Sequence, residues 1–139
     1  MPAQKRPVVA VDMLTGEVTA MFCSLTEAAE AYGISKSNVL RECAKRRYPQ
    51  RRFEALRYAD DTEPIDFKRG RCRCVVASDD EEVHAWPGVR IASEDSYLSY
   101  HAFVGRMRRG ATVDLLGREM LARYADRPLS RNAKVVRHV

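Results

Sequence analysis

The sequence predicts an α+β fold, a tandem repeat of small β-hairpin/helix-turn-helix/β-strand units, and three observations predict it. Val8-Val9-Ala10-Val11-Asp12 recurs as Val75-Val76-Ala77-Ser78-Asp79, 67 positions later. Leu56-Arg57-Tyr58-Ala59-Asp60 recurs as Ala122-Arg123-Tyr124-Ala125-Asp126, 66 positions later. Between these ends the copies agree loosely: Gly33-Ile34-Ser35 stands opposite Tyr97-Leu98-Ser99, and Val39 opposite Phe103, with small gaps on either side. Matching ends in one order at a nearly constant offset indicate duplication. The expected division is a module at 1–60, a linker at 61–71, a diverged second copy at 72–126 and a basic tail at 127–139. The linker assignment rests on DTEPIDFKRG, Asp61 to Gly70, which is polar and carries Pro64 and Gly70.

The first copy can be taken element by element. Pro7 to Val11 is a β-branched run, Thr15-Gly16 is a turn signal and Glu17 to Phe22 alternates, which makes a hairpin. Ser24-Leu25-Thr26-Glu27 fits a capping box, with Ser24 at the helix start and Glu27 reaching back. Leu25, Ala28, Ala29 and Tyr32 come next at helical spacing and form one apolar face. Gly33 ends this helix, because glycine tolerates the left-handed geometry of a helix terminus. Ser35 caps a second helix whose buried side is Val39, Leu40 and Cys43. A short strand from Phe53 to Tyr58 closes the unit.

Composition narrows the class. The chain has 139 residues, 24 Lys+Arg against 19 Asp+Glu and a net charge of +5. Nineteen of the basic residues are arginine, whose forked guanidinium suits phosphates and guanine edges. A hydrophobic fraction of 45% excludes a wholly disordered chain. No apolar run approaches the ~20 residues that span a bilayer, and MPAQKRPVVAVDM lacks a long signal-peptide core. The expectation is a cytoplasmic protein of a bacterial or phage-infected cell, with no membrane partner.

Metal and catalytic chemistry find little footing. Cys72 and Cys74 are two apart, closer than the usual zinc pair, and no second Cys or His pair comes after them at a comparable spacing. On a strand these two cysteines share one face while Arg71 and Arg73 take the other. There is no Gly-rich phosphate loop, HExxH or GxSxG. The expected chain is therefore not an enzyme, with no catalytic residues, no metal and no cofactor.

A short helix, a turn carrying Gly33 and a second short helix make a helix-turn-helix. Ala29 is small where the helices cross, and Val39 fills the angle between them. The exposed side of the second helix carries Lys36, Ser37, Asn38 and Arg41. In such motifs the N-terminal part of the second helix faces base edges in the major groove. Asn38 would pair with adenine and Arg41 with guanine, while Lys36 and Ser37 take phosphates. Helical hairpins of this kind also occur in folds that never meet DNA, so the charge of the adjoining segment decides between the two. Lys45-Arg46-Arg47 and Arg51-Arg52 bring five positive charges directly behind the second helix, interleaved with Tyr48 and Phe53. Residues 41–57 hold seven basic residues against Glu42 and Glu54, a local +5, so the rest of the chain balances to zero.

Residues 7–58 resemble the type-one nuclease-associated modular domain, a small DNA-binding module appended to phage and intron homing endonucleases. The resemblance runs through Val8 to Asp12, Thr15-Gly16-Glu17, Phe22-Cys23-Ser24 and Glu27-Ala28-Ala29. It continues through Gly33 to Val39 and ends at Arg57-Tyr58. It implies a DNA-binding helix-turn-helix with Ser35 to Arg41 at the reading position, and a phage or mobile-element origin. No HNH or GIY-YIG nuclease signature accompanies it, which departs from the family's usual context.

The second copy has drifted. Its hairpin turn is Asp79-Asp80-Glu81-Glu82, which would repel a phosphate backbone, and Trp86-Pro87-Gly88 replaces a regular strand end. The capping box is gone, and Tyr97, Tyr100 and Phe103 form an aromatic stripe expected in the core. Arg106, Arg108 and Arg109 still come after the second helix and are candidate second contacts. The tail adds Arg127, Arg131, Lys134 and Arg137, either a basic arm or a solvated terminus. The expected function is a non-enzymatic DNA-binding regulator, with Lys36, Ser37, Asn38 and Arg41 reading or positioning and Lys45, Arg46, Arg47, Arg51 and Arg52 holding phosphates. The expected partner is double-stranded DNA. The alternative is a phage-type factor that binds a host protein and inhibits or redirects it; whether the chain forms a homodimer is left open.

Overall fold

The computed structural model describes residues 6–45, 49, 52–64, 74–79, 81–126, 128–129 and 134–138. Among them the chain is mixed α+β, with eight strands and four helices in two sheets. The first sheet has the order β2-β1-β3, from β1 (Val8–Asp12), β2 (Val18–Phe22) and β3 (Glu54–Tyr58), all antiparallel. Helices α1 (Leu25–Tyr32) and α2 (Lys36–Cys43) connect β2 to β3. The side chains of Val8, Ala10 and Leu56 meet Ala28, Ala29, Val39 and Cys43 in one core cluster. The alternation of β1 makes this possible: every second residue faces the helices.

The capping chemistry expected of the sequence is present. Ser24 Oγ accepts from the Glu27 N–H at 3.2 Å, and Glu27 Oε2 accepts from the Cys23 N–H at 2.9 Å, one residue earlier than a regular box. Gly33 takes φ +64°, and the Ile34 N–H reaches back to the Ala29 carbonyl at 3.1 Å. Ser35 Oγ accepts from the Asn38 N–H at 3.1 Å.

The second sheet has the order β6-β7-β4-β5-β8. Its strands are β4 (Val75–Ser78), β5 (Val83–Trp86), β6 (Val113–Leu115), β7 (Arg118–Tyr124) and β8 (Val135–Arg137). Helices α3 (Val89–Glu94) and α4 (Tyr100–Arg108) lie between β5 and β6. Trp86, Phe103, Val113, Leu115 and Met120 build its main core with Val75 and Ala77. Helix α3 starts at Gly88 with no side-chain cap, whereas Ser99 Oγ caps α4 through the Ala102 N–H at 3.3 Å.

The two motif pairs that recur in the sequence pair with each other in space. Val8 lies opposite Tyr58 and Ala10 opposite Leu56; Val75 lies opposite Tyr124 and Ala77 opposite Ala122. The Ala59 N–H donates to the Pro7 carbonyl at 2.9 Å, and the Ala125 N–H to the Cys74 carbonyl at 2.8 Å.

Three expectations change. The aromatic stripe is split, because α3 stops at Asp95 and leaves Tyr97 89% exposed, while Phe103 is fully buried and Tyr100 packs at the core edge. The stretch expected as a basic tail ends in β8, which pairs in parallel with β5. The start of the expected linker folds back: Arg57 donates to the carbonyls of Asp61 and Glu63, each at 2.8 Å. Residues 65–73, which carry Cys72 and most of that linker, lie outside the described residues.

A third cluster joins the sheets. Leu14 and Phe53 from the first half pack against Cys74, Val76, Ala85 and Ala125 of the second. The Leu129 N–H donates to the Leu14 carbonyl at 2.8 Å, and Arg137 donates to Asp12 at 2.6 Å. The Arg137 guanidinium also lies over the Phe53 ring, 4.9 Å from its centroid.

Candidate nucleic-acid interface

Helix α2 turns one side in and one side out. Val39, Glu42 and Cys43 are buried, and burial pushes the Cys43 thiol up to about 11. Lys36, Ser37, Leu40, Arg41 and Ala44 are exposed at spacings of one and four, which makes them a continuous stripe. Asn38 is half-buried at the edge of that stripe, its backbone N–H taken by the Ser35 cap. Hydrophobicity places Leu40 on the buried side, yet it is 48% exposed. Helix α2 packs on α1 and β3 through Val39 and Cys43, so the residue between those contacts points outward.

The basic cluster behind α2 divides differently from its appearance in the sequence. Lys45 is not a free cation. It pairs with Glu63 and, at 3.3 Å, with Asp61, and the hydrogen bond it donates to Glu63 first, and then the one to Asp61, raise its ammonium above the ordinary lysine value. Arg52 is turned inward. It pairs with Glu42, whose side chain is 2% exposed, donates to the Glu54 carbonyl at 2.5 Å and lies 4.9 Å over the Tyr32 ring. Arg57 pairs with Asp61 at 2.8 Å. The local excess of +5 over residues 41–57 falls to +2 once Asp60, Asp61 and Glu63 are included. Of the expected phosphate contacts, Arg46, Arg47 and Arg51 lie outside the described residues.

In the second half, Arg106, Arg108 and Arg109 are exposed at the C-terminal end of α4, where the helix dipole favours positive charge. Arg106 donates to the Thr112 carbonyl at 3.3 Å. The Arg90 guanidinium stacks over Tyr100 at 5.0 Å. The acidic hairpin beside β5 is organised around Asp79, which accepts from the N–H groups of Glu81 and Glu82 at 2.8 Å each. Those bonds first, and then His84, hold its carboxyl well below the usual carboxylate range. Arg118 pairs with the same carboxylate at 2.9 Å. An open polar cleft lies alongside, lined by Ser78, Asp79, Glu81, Arg118, Glu119 and Met120.

Residue spacing alone does not bring out one cluster in this half. His84 Nε2 lies 3.1 Å from Asp79 Oδ2, and His84 Nδ1 lies 2.9 Å from His138 Nε2. The His138 ring stacks on Trp86 at 4.9 Å, and Trp86 donates to Asp95 at 2.7 Å. The parallel register, His84 opposite Val136, creates this cluster, and no local pattern announces it.

Among the described residues no group of three or more His, Cys, Asp or Glu side chains is arranged to hold a metal ion. Among them no helix is long and apolar enough to cross a membrane. Comparisons with protein-family models, curated proteins and solved structures find no match to this chain, so its function has to be read from its own residues.

Proposed function

We propose that this chain is a non-enzymatic, phage- or mobile-element-type protein that binds duplex DNA through the exposed side of α2. One observation carries the reading: Lys36, Ser37, Leu40 and Arg41 form an outward stripe on a doubly capped two-helix turn. A helix in the major groove contacts bases and phosphates with such a stripe, near its N-terminus. Lys36, Ser37 and Arg41 would contact the groove, Asn38 would sit at its edge, and Arg46, Arg47 and Arg51 would hold phosphates. Lys45 and Arg52 are left out, because acids within the fold already neutralise them.

The chain is also read as a duplication of a module like the nuclease-associated one. The recurring sequence motifs support this, as do the equal registers of β1 with β3 and β4 with β7. The paired caps at Ser35 and Ser99 add to it.

Fluorescence anisotropy with labelled random-sequence duplexes in rising salt tests the reading. Affinity should fall linearly on log scales, with a slope of about −0.9 per phosphate neutralised. Arg41→Glu and the pair Arg46→Glu/Arg47→Glu should each abolish binding in folded protein. Failure of the wild-type chain to bind any duplex at low salt overturns the proposal, as does unchanged binding in both variants.

A second reading, contact with a host protein, is favoured by exposed Leu40 and by the internal neutralisation of Lys45, Arg52 and Arg57. A stoichiometric partner that survives nuclease treatment in a pull-down and is lost in Leu40→Asp would support it.

A further inference from the structure

We propose that β8 is an acid-operated latch, held closed by the His84–His138 contact and released when both rings are cationic, so that protonation uncouples the last strand from the first half. The inference stands apart from the DNA-binding reading.

The geometry dictates the chemistry. With one proton on each ring, His84 Nε2–H donates to Asp79 Oδ2 at 3.1 Å and His138 Nε2–H donates to His84 Nδ1 at 2.9 Å. The other tautomer of His84 would turn a lone pair toward the Asp79 carboxylate. One further proton is accommodated: His84 carries both of its N–H groups, and His138 moves its proton to Nδ1 and accepts. A second cannot be, since two N–H donors would then face each other at 2.9 Å with like charges. The docked pair therefore holds one proton fewer than the separated rings. Burial, and then His84, push the His138 imidazolium below its ordinary range, in the same direction.

The charged surroundings among the described residues are these. Asp79 faces His84, as does Glu82 at 3.9 Å, and Arg118 and Lys134 neutralise those two acids from β7 and from the segment before β8. Asp95, at the end of α3, acts on His138 in the opposite direction to His84. The latch has a mechanical output because β8 also carries Arg137, which binds Asp12 at 2.6 Å and covers Phe53. Undocking β8 removes both contacts from the first half and unstacks Trp86 from His138.

Two reporters are built in. Trp86 is the sole tryptophan, so its emission reports the stacking with His138. The His138 amide donates to the Ala85 carbonyl at 2.8 Å, so its hydrogen exchange reports docking directly. With a separated-ring value near 6.5, lowering the pH from 7.5 to 5 should reduce protection of that amide by up to about 30-fold, after correction for intrinsic exchange. Amides of the β4–β7 ladder should stay protected. Opening should track the His138 ring titration and the Trp86 emission change. His138→Phe, or His138→Gln if phenylalanine does not dock, should remove the pH dependence. The proposal is overturned if wild-type protection at His138 is flat between pH 7.5 and 5. A midpoint that differs from the His138 ring titration overturns it too, as does an equal response in the non-titrating variants.

Discussion

Arg52→Met distinguishes a structural from a DNA-contacting arginine. Methionine keeps much of the side-chain stem and removes the guanidinium, leaving the Glu42 carboxylate 2% exposed and, among the described residues, with a long 3.4 Å bond from the Leu56 N–H as its remaining partner. Breaking a buried pair by deleting one partner costs about 3–5 kcal/mol. The Arg52 side chain keeps 19% of its exposure, so water screens the site and about 2–3 kcal/mol is the appropriate share. Loss of the guanidinium over Tyr32 adds about 0.5–1 kcal/mol. Together these give roughly 3 kcal/mol, or a Tm lowered by roughly 10 °C in a chain of this size. Urea denaturation followed by far-ultraviolet circular dichroism measures it. The double variant Glu42→Leu/Arg52→Leu should recover to within about 1 kcal/mol of wild type, because neither charge is then stranded. Below its melting range, Arg52→Met should keep the wild-type salt slope for DNA. A stability change under about 0.5 kcal/mol together with a shallower salt slope would refute the internal role.

Three further outcomes are expected. Leu116 sits at φ +57° in the two-residue turn between β6 and β7, ahead of Gly117 at +78°, a geometry that favours asparagine. Leu116→Asn should therefore raise stability by about 0.5–1 kcal/mol in thermal melts, and a loss of stability counts against the turn assignment. The carboxyl of Asp79 is held below its unfolded value, so its contribution is complete above about pH 4 and fades as the pH falls further. Stability of Asp79→Asn should accordingly be flatter than wild type on acidification below pH 4. Burial pushes the Cys74 thiol up to about 12 and the Cys43 thiol up to about 11, whereas Cys23 is exposed. Iodoacetamide at pH 8 should label Cys23 and spare Cys43 and Cys74 until urea is added, as read by peptide mass spectrometry.

Local chemistry is legible in the sequence and distant pairing is not. Ser24, Glu27, Gly33 and Ser35 act within four residues of themselves, so the helix limits of the first half can be read directly. Of the recurring motifs, Val8 to Val11 and Val75 to Ala77 locate β1 and β4 because each is an uninterrupted apolar run, as a strand buried on both faces requires. Lys45 looks like a free cation because Glu63 lies 18 positions away, beyond the 41–57 segment, and Arg52 does because Glu42, 10 positions away, falls among seven basic residues with no local pattern to pair them. Leu40 reads as inward by its hydrophobicity, but two buried neighbours suffice to seat so short a helix. Strand β8 escapes a sequence reading because Val135-Val136-Arg137 is three residues long and pairs with a strand about 50 positions earlier. The candidate interface is legible only as the α2 stripe.

The Asp12–Arg137 contact spans 125 positions, against 14 for Val8 and Phe22 in the first hairpin. Loop-closure entropy rises by about 0.6 kcal/mol per doubling, so this closure costs roughly 2 kcal/mol more than the hairpin before any contact is made. On a ribosome the first sheet and its helices can be complete long before Arg137 is synthesised. The last strand then acts as a seam sewn after the cloth is cut, and a nascent chain carries Leu14 and Phe53 without their cover until the second half emerges. Slow final closure, sensitive to translation rate and to chaperones that shield those two side chains, is the kinetic signature this topology imposes.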